Sequence, residues 1–308
     1  MLATLTSRRF SDKEWVFERK LDGERCLAFR HGARLRLLSR NEKPLNGSYP
    51  ELVAALSHQK AGDFVVDGEI VAFQGDLTSF GLLQQRMQIA DPDKARASGV
   101  AVFYYLFDLL YLDGHETTRL GLRERKTLLK QAIRFRDPLR FSLHRDTRGE
   151  AYYKEACQKG WEGLIAKRAE SRYVSGRSAD WLKFKCVNQQ EFVIGGYTDP
   201  QGKRVGFGAL LLGYYKGGQL KYAGKVGTGY DGETLRRLHQ QLARLERGTS
   251  PFADKDVPQR NVHWVTPALV GEAAFAEWTR GDKLRHPRFL GLRRDKEPGE
   301  VVREKPNA

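Results

Sequence analysis

The chain has 308 residues, 40% hydrophobic and 30% charged, with a net charge of +15, long enough for two domains with real cores. No apolar run is long enough to span a bilayer, and the first nine residues lack the apolar core and cleavage site of a secretory signal, so neither a membrane span nor a leader is expected. The three cysteines, Cys26, Cys157 and Cys186, are odd in number and lack paired metal spacing, so no disulfide framework is expected and a reducing cytoplasm is the expected home. The positive charge is not a tail: residues through Val187 hold 33 Lys+Arg against 24 Asp+Glu, and the remainder 20 against 14. Basic charge on both halves suits a long polyanion laid across two domains, and no amphipathic basic helix points to a membrane surface.

In chain order, Trp15 to Lys20 reads as a strand ending in a lysine, Asp22-Gly23 as a turn, and Cys26 to Arg30 as the returning strand. Further strand-like runs are Arg34 to Ser39, Phe64 to Phe73, Val102 to Tyr111, Leu164 to Lys167 and Trp181 to Lys185. Helix-like runs are Tyr49 to Gln59, Phe80 to Met87, Leu122 to Ile133 and Glu150 to Lys159. Ser48 marks a helix start before Tyr49-Pro50-Glu51, and Gly160 closes the last of these helices. After Asn188-Gln189-Gln190 come short strands, Glu191 to Tyr197, Ala209 to Lys216 and Leu220 to Val226, the last two joined at Gly217-Gly218. A helix over Gly232 to Leu245 and strands over Val262 to Thr266 and Val270 to Trp278 complete the pattern, and the tail from Pro298 reads as frayed. The fold class is α+β: antiparallel sheets with flanking helices over residues 1–187, then a small barrel over 188–308 of the oligonucleotide-binding (OB) kind, with an SH3-like barrel as the other topology that fits.

The run Glu18-Arg19-Lys20-Leu21-Asp22-Gly23-Glu24-Arg25 is the richest in chemistry. A lysine is a nucleophile only when neutral, and its ordinary pKa of about 10.4 forbids that at pH 7. A cationic neighbour such as Arg25, or a bound metal ion, lowers that value. K-x-D-G alone also describes an ordinary charged hairpin, so the residues downstream decide. They are Ser39-Arg40-Asn41, Asp67-Gly68-Glu69, Phe107-Asp108, Glu162-Gly163-Leu164-Ile165-Ala166-Lys167, Trp181-Leu182-Lys183-Phe184-Lys185 and Arg293-Arg294-Asp295-Lys296. Lys183 and Lys185 are two apart, so on a strand both face one phosphate. Glu69 and Glu162 are hard oxygen ligands suited to Mg²⁺. Glu18 shares a strand face with Lys20 and can accept hydrogen bonds there. Singly, Phe107 reads as core, Glu162-Gly163 as a helix end and the lysine pair as a solvated face; the ordered set is the signal.

That ordered set resembles the ATP-dependent DNA ligases over nearly the whole chain, most closely the short bacterial type, the ligase domain of DNA ligase D and stand-alone relatives such as DNA ligase C. The resemblance implies an adenylation (nucleotidyltransferase) domain over 1–187 and an OB-fold domain over 188–308. It makes Lys20 the residue that carries AMP. It implies ATP contacts at Glu18, Arg25, Arg40, Glu69, Phe107, Lys183, Lys185, Arg293 and Lys296, with Arg294 competing for the pyrophosphate role. Mg²⁺ or Mn²⁺ falls to Glu69 and Glu162, and nicked duplex DNA to Arg40, Lys203 and Arg204. A barrel swinging about Val187 to Gln190 is implied as well, in a monomer of the bacterial cytosol and nucleoid, with no membrane and with a Ku-like end-binding protein or repair polymerase as partner. The departures are the lack of a helical DNA-binding domain before Lys20 and of room for nuclease or polymerase modules. RNA ligases and mRNA-capping-type nucleotidyltransferases share the lysine chemistry and stay open. A catalytically dead nucleic-acid-binding relative is opposed by the intact Lys20, Glu69, Glu162, Lys183 and Lys185.

Overall fold

The computed structural model describes residues 1–87, 89–202, 204–254 and 256–304. It divides into two compact units, Met1–Cys186 and Val187–Glu304. The first runs β1 (Leu2–Leu5), β2 (Trp15–Lys20), β3 (Glu24–His31), β4 (Arg34–Ser39), α1 (Pro50–Ser57), β5 (Asp63–Val71), β6 (Phe73–Gln74), β7 (Leu77–Thr78), α2 (Phe80–Gln84), α3 (Pro92–Ala97), β8 (Phe103–Leu112), β9 (His115–Glu116), α4 (Leu122–Ala132), β10 (Leu139–Phe141), β11 (His144–Asp146), α5 (Gly149–Gln158), β12 (Gly163–Arg168) and β13 (Arg177–Lys185). The second runs β14 (Asn188–Thr198), β15 (Leu210–Lys216), β16 (Gln219–Val226), α6 (Gly232–Ala243), β17 (Glu246–Arg247), β18 (Val262–Phe275), β19 (Glu277–Trp278), β20 (Leu284–Arg285) and β21 (Arg288–Leu292).

The first unit holds two large sheets and the two-stranded β6-β7 pair. One has the order β1-β13-β12-β2-β11, the other β10-β8-β5-β3-β4 with β9 beside β8. Trp15, Phe17, Leu164, Ala166 and Phe184 cover one face of the first sheet with Tyr152 and Ala156 of α5. The second sheet has its own larger core, in which Cys26, Val66, Ile70, Tyr104 and Leu106 meet Leu52 and Leu56 of α1 and Leu129 of α4. Each sheet therefore has one apolar face against helices, and the face left over is available to polar chemistry.

Helix α4 carries an unusual buried stripe. Leu122, Arg125, Lys126 and Leu129 are its buried residues, at the spacing of one helical face, yet two of the four are cations. Both are spent on buried acids: Arg125 donates to Asp108 at 2.7 and 3.0 Å, and Lys126 to Glu18 at 2.7 Å.

In the second unit, β16-β15-β14-β18-β17 form one sheet with β21 on β18. Leu235, Leu238 and Leu242 of α6 are buried in its core with Phe192, Leu212 and Val265, as their spacing requires. The two strands expected over Val262 to Thr266 and Val270 to Trp278 are largely one 14-residue strand, β18. The expected break survives as a bulge: Ile194 pairs with Leu269, but Gly196 pairs with Trp264.

Three further differences have local causes. Tyr49, not Ser48, caps α1, without a side-chain bond, because the Tyr49 carbonyl already accepts from the Leu52 and Val53 N–H groups at 3.1 and 3.2 Å. Asn188 to Gln190, expected as part of a hinge, belong to β14, which is already paired from Asn188, opposite Phe275. Cys157 and Cys186, expected free, form a disulfide across Cα atoms 5.2 Å apart. They stand at the C-terminal end of α5 and just past β13, so only the packing of helix on sheet reveals the pair; Cys26 is buried and free.

Candidate active site

The strand registers decide which side chains share a face. Gly163 of β12 lies between Lys20 and Lys185, and Ile165 between Glu18 and Lys183. Lys167 lies between Val16 and Trp181. Side chains alternate along a strand, so Glu18, Lys20, Lys167, Trp181, Lys183 and Lys185 all belong to the face opposite the α5 core. The lysine pair is thus registered beside Lys20, although 163 residues separate Lys20 from Lys183 in the sequence.

At the mouth end of this face the Lys20 ammonium forms an ion pair with the Glu162 carboxylate, the two side chains 20% and 7% exposed. Glu162 is delivered by the loop into β12, whose path is set by Gly163. That glycine has φ 149°, and a Cβ there would stand 1.9 Å from the carbonyl oxygen of Phe184. A bond from the Cys186 N–H to the Glu162 carbonyl at 2.9 Å closes the loop onto the end of β13. The glycine of K-x-D-G has a similar reason: a Cβ on Gly23 would meet the Ile70 carbonyl oxygen at 2.1 Å, so the turn after Lys20 passes directly over β5.

The second sheet supplies Arg25, Asp67, Glu69 and Phe107. Arg25 stands opposite Glu69 and Leu27 opposite Asp67 in the β3–β5 register. Arg25, expected as a cation beside Lys20, forms a bidentate pair with Asp67, and Tyr173 donates to the same carboxylate at 2.8 Å. Phe107 is skipped by the β5–β8 register, where Asp67 pairs with Asp108 and Gly68 with Leu106. Bulges re-aim side chains, and this one takes Phe107 out of the sheet's main core into a small cluster with Met1 and Trp181. Its ring has the Lys167 Nζ 4.2 Å and the Arg25 guanidinium 4.7 Å from its centroid.

Deeper in, Glu18 is 2% exposed. It accepts from Lys126 Nζ at 2.7 Å, Lys167 Nζ at 2.9 Å and Ser142 Oγ at 3.0 Å. Burial pushes its carboxyl up, but the Lys126 and Lys167 ammoniums outweigh burial and hold it at about 2. Burial lowers the Lys167 ammonium to about 8 against the pull of Glu18. Arg125, Lys126 and Ser142 belong to no motif in the sequence; the helical spacing of two cations with Leu122 and Leu129 was the only signal, and it reads as a solvated face.

The remaining expected residues are more scattered. Arg40 is exposed in the turn after β4. In the second unit Arg293 is buried and bonded to Glu272 at 3.1 Å and to both oxygens of Asp295 at 2.9 Å. Lys296 pairs with Glu191 at 3.2 Å, and Arg294 is the exposed member of that run. Arg204 donates to the Gly227 carbonyl at 2.8 Å and lies over the Tyr230 ring; Lys203 lies outside the described residues. No group of three or more His, Cys, Asp or Glu fit to cage a metal occurs among the described residues. Glu69 stands on β5 and Glu162 just before β12; Mg²⁺ commonly takes one or two protein carboxylates and completes its shell with waters and substrate phosphates.

A nucleophile-type lysine beside a carboxylate, a lysine pair in register with it and a second, barrel-forming unit define a nucleotidyltransferase with an OB-type partner domain. Comparison with known proteins makes the family specific. The ATP dependent DNA ligase domain family matches residues 1–185, and the ATP dependent DNA ligase C terminal region matches residues 203–296. The multifunctional non-homologous end joining protein LigD of Pseudomonas aeruginosa is 38% identical over 302 residues, which is 95% of this chain and 35% of that protein. The LigD of Mycobacterium tuberculosis is 37% identical over 99% of this chain and 39% of its own length. The chain thus spans little more than a third of these curated relatives. Among solved structures, a mycobacterial DNA ligase D complexed with ATP and MES is 34% identical, with a TM-score of 0.67 over 98% of both chains. The chain belongs to the ATP-dependent DNA ligases.

Proposed function

We propose that this protein seals nicks in duplex DNA at the expense of ATP, with Lys20 as the covalent carrier of AMP. The observation that carries the reading is the register of Lys20 with Lys183 and Lys185 on one strand face, with Glu162 in contact with the Lys20 amine. Lys20 attacks only as the neutral amine, and the Glu162 carboxylate is the acceptor standing in place for its proton. The Nζ–phosphorus bond forms as the bond from the α-phosphorus to pyrophosphate breaks. Lys183 and Lys185 take up the charge that builds on the α-phosphate oxygens, which is where most phosphoryl-transfer catalysis lies. AMP then passes to a DNA 5′-phosphate, and the 3′-hydroxyl displaces it.

The base lies toward Phe107 and Glu18, the ribose toward Glu69 and Arg25, and Arg40 serves nucleotide and 5′-phosphate. Glu69 and Glu162 hold Mg²⁺ or Mn²⁺, which neutralises phosphate charge when bound. Arg293, Arg294 and Lys296 orient the pyrophosphate, with Arg294 the most exposed of them; Lys203 and Arg204 contact DNA. The relatives named for non-homologous end joining support a role at double-strand breaks; our reading places the protein in the bacterial cytosol, as a monomer, beside a Ku-like protein or a repair polymerase. Incubation with α-labelled ATP and Mg²⁺ or Mn²⁺, followed by nicked duplex DNA, tests the core of this. Label should enter the protein, move to the nick and leave as the strand is sealed. Label from GTP in place of ATP, or sealing of RNA alone, would give the place to a capping-type enzyme or an RNA ligase.

A further inference from the structure

Purine nucleotides differ on one edge by an amino group in adenine and a carbonyl in guanine. A carboxylate discriminates between them only while ionised, because the anion accepts hydrogen bonds and the protonated acid donates one. A buried carboxyl drifts toward the protonated form unless charge partners hold it. The site therefore needs, besides an acid, something that keeps the acid charged and still.

Glu18 has that support. Lys126 reaches it from α4 and Lys167 from β12, while Ser142 donates from the end of β10. Lys126 is itself 2% exposed and gives a second bond to the Ser142 carbonyl at 2.9 Å. The Ser142 N–H in turn donates to Leu106 at 2.8 Å, the residue before Phe107. Lys167 closes the ring, 2.9 Å from Glu18 and 4.2 Å from the Phe107 centroid. The acid and the aromatic platform are thus braced in one frame, and of the roughly four lone-pair sites of the anion the brace takes three and leaves one, on the Oε1 that Lys126 holds, to a ligand. Among other titratable groups, His144 of β11 is opposite Glu18 in the strand register and feels the charges of Glu18 and Lys126, Tyr152 of α5 feels that of Glu18, and Asp108 of β8 acts on Lys167.

We propose that Lys126 is a specificity-determining positioning residue: with Ser142 and Lys167 it holds Glu18 as a fixed anion, so that the pocket takes a purine with a 6-amino group and rejects its 6-oxo counterpart. The inference rests on the proposed reading that Glu18 faces the base. Without the Lys126 charge, the buried acid keeps only one cation, burial raises its carboxyl toward the protonated form, and that form offers an O–H to a carbonyl edge.

The test measures self-labelling of the full chain with α-labelled ATP and with α-labelled GTP, as kcat/KM for each, from pH 6 to 9. Lys126→Gln, which keeps a donor but removes the charge, should lower the ATP-to-GTP ratio by roughly 10- to 100-fold, the worth of one mismatched buried polar contact. That ratio should climb again with pH as Glu18 re-ionises, while Lys126→Arg should keep the wild-type ratio. A role in stability alone would lower both rates together and leave the ratio and its pH profile unmoved, and that result overturns the proposal. Should Lys126→Gln fail to fold in a thermal melt, Ser142→Ala carries the same comparison with the same expected direction. Glu18→Gln separates the layers. If it leaves the ratio unchanged, the reading of Glu18 as the base contact fails; if it collapses the ratio while Lys126→Gln does not, only the positioning role of Lys126 fails.

Discussion

In the proposed function Lys20 and Glu162 are the pair on which the chemistry depends, and each has a separable job. Lys20→Ala should abolish self-adenylation and sealing of an ordinary nick, yet impair sealing of a pre-adenylated nick less, because no amine nucleophile is needed there. Label on the Lys20→Ala protein would remove the assignment. Glu162→Ala and Glu69→Ala should each slow sealing by about 10²-fold or more, the usual scale for losing a charge-stabilising group, with the melting curve unchanged. Near wild-type sealing by either variant would mark that residue as structural. Glu18 has a depressed pKa, so its contribution to stability is complete above its ordinary carboxyl range. It is lost only as pH falls from about 4.5 toward about 2. Denaturant midpoints taken across that range should show a loss that Glu18→Gln lacks.

Among the elements, β12 and α4 do the positioning. Gly163 lets the chain enter β12 with its backbone against Phe184, and any side chain there must push β13 away, together with Lys183 and Lys185. Gly163→Ala should therefore lose adenylation and also fall in melting temperature, whereas Glu162→Ala should lose adenylation alone. The disulfide ties the end of α5 to the end of β13 across a sequence separation of 29. Cys157→Ser should lower the free energy of unfolding by about 3 kcal/mol relative to the oxidised protein, measured by denaturant titration with and without a thiol reductant. Equal midpoints under both conditions would count against the bridge in solution. These strands were legible from the sequence, β2 to the residue. The two cations in α4 were not, because a buried arginine or lysine has the same spacing signature as an exposed one until its acid partner is known. The disulfide was invisible for the same reason, since residue spacing says nothing about which helix end meets which strand.

At the scale of the whole molecule the proposed function divides the labour between the two units. A fragment ending at Val187 should adenylate poorly with ATP and bind nicked DNA weakly, as judged by label incorporation and gel shift. A fragment that adenylates and seals as well as the full chain would sink this division. Lys203→Ala with Arg204→Ala should lower DNA affinity and reduce the slope of log K against log salt by about 0.9 for each phosphate that the protein no longer neutralises. Arg204 also packs on Tyr230, so a melt must accompany that measurement.

The sequence by itself determined the order of the motifs, the α+β class and the positive charge of both halves, because these follow from residue identity and from periodicities of two and 3.6. It also placed Glu18 and Lys20 on one face, since two residues on a strand make that certain. Only the tertiary structure decided that Glu162 sits on Lys20, that Arg25 is committed to Asp67, and that Lys126 and Ser142 brace Glu18. Each of these joins residues from different elements, and which elements meet is settled by burying apolar faces against one another. The polar partners are brought together as a consequence of that packing, and no local pattern in the chain records it.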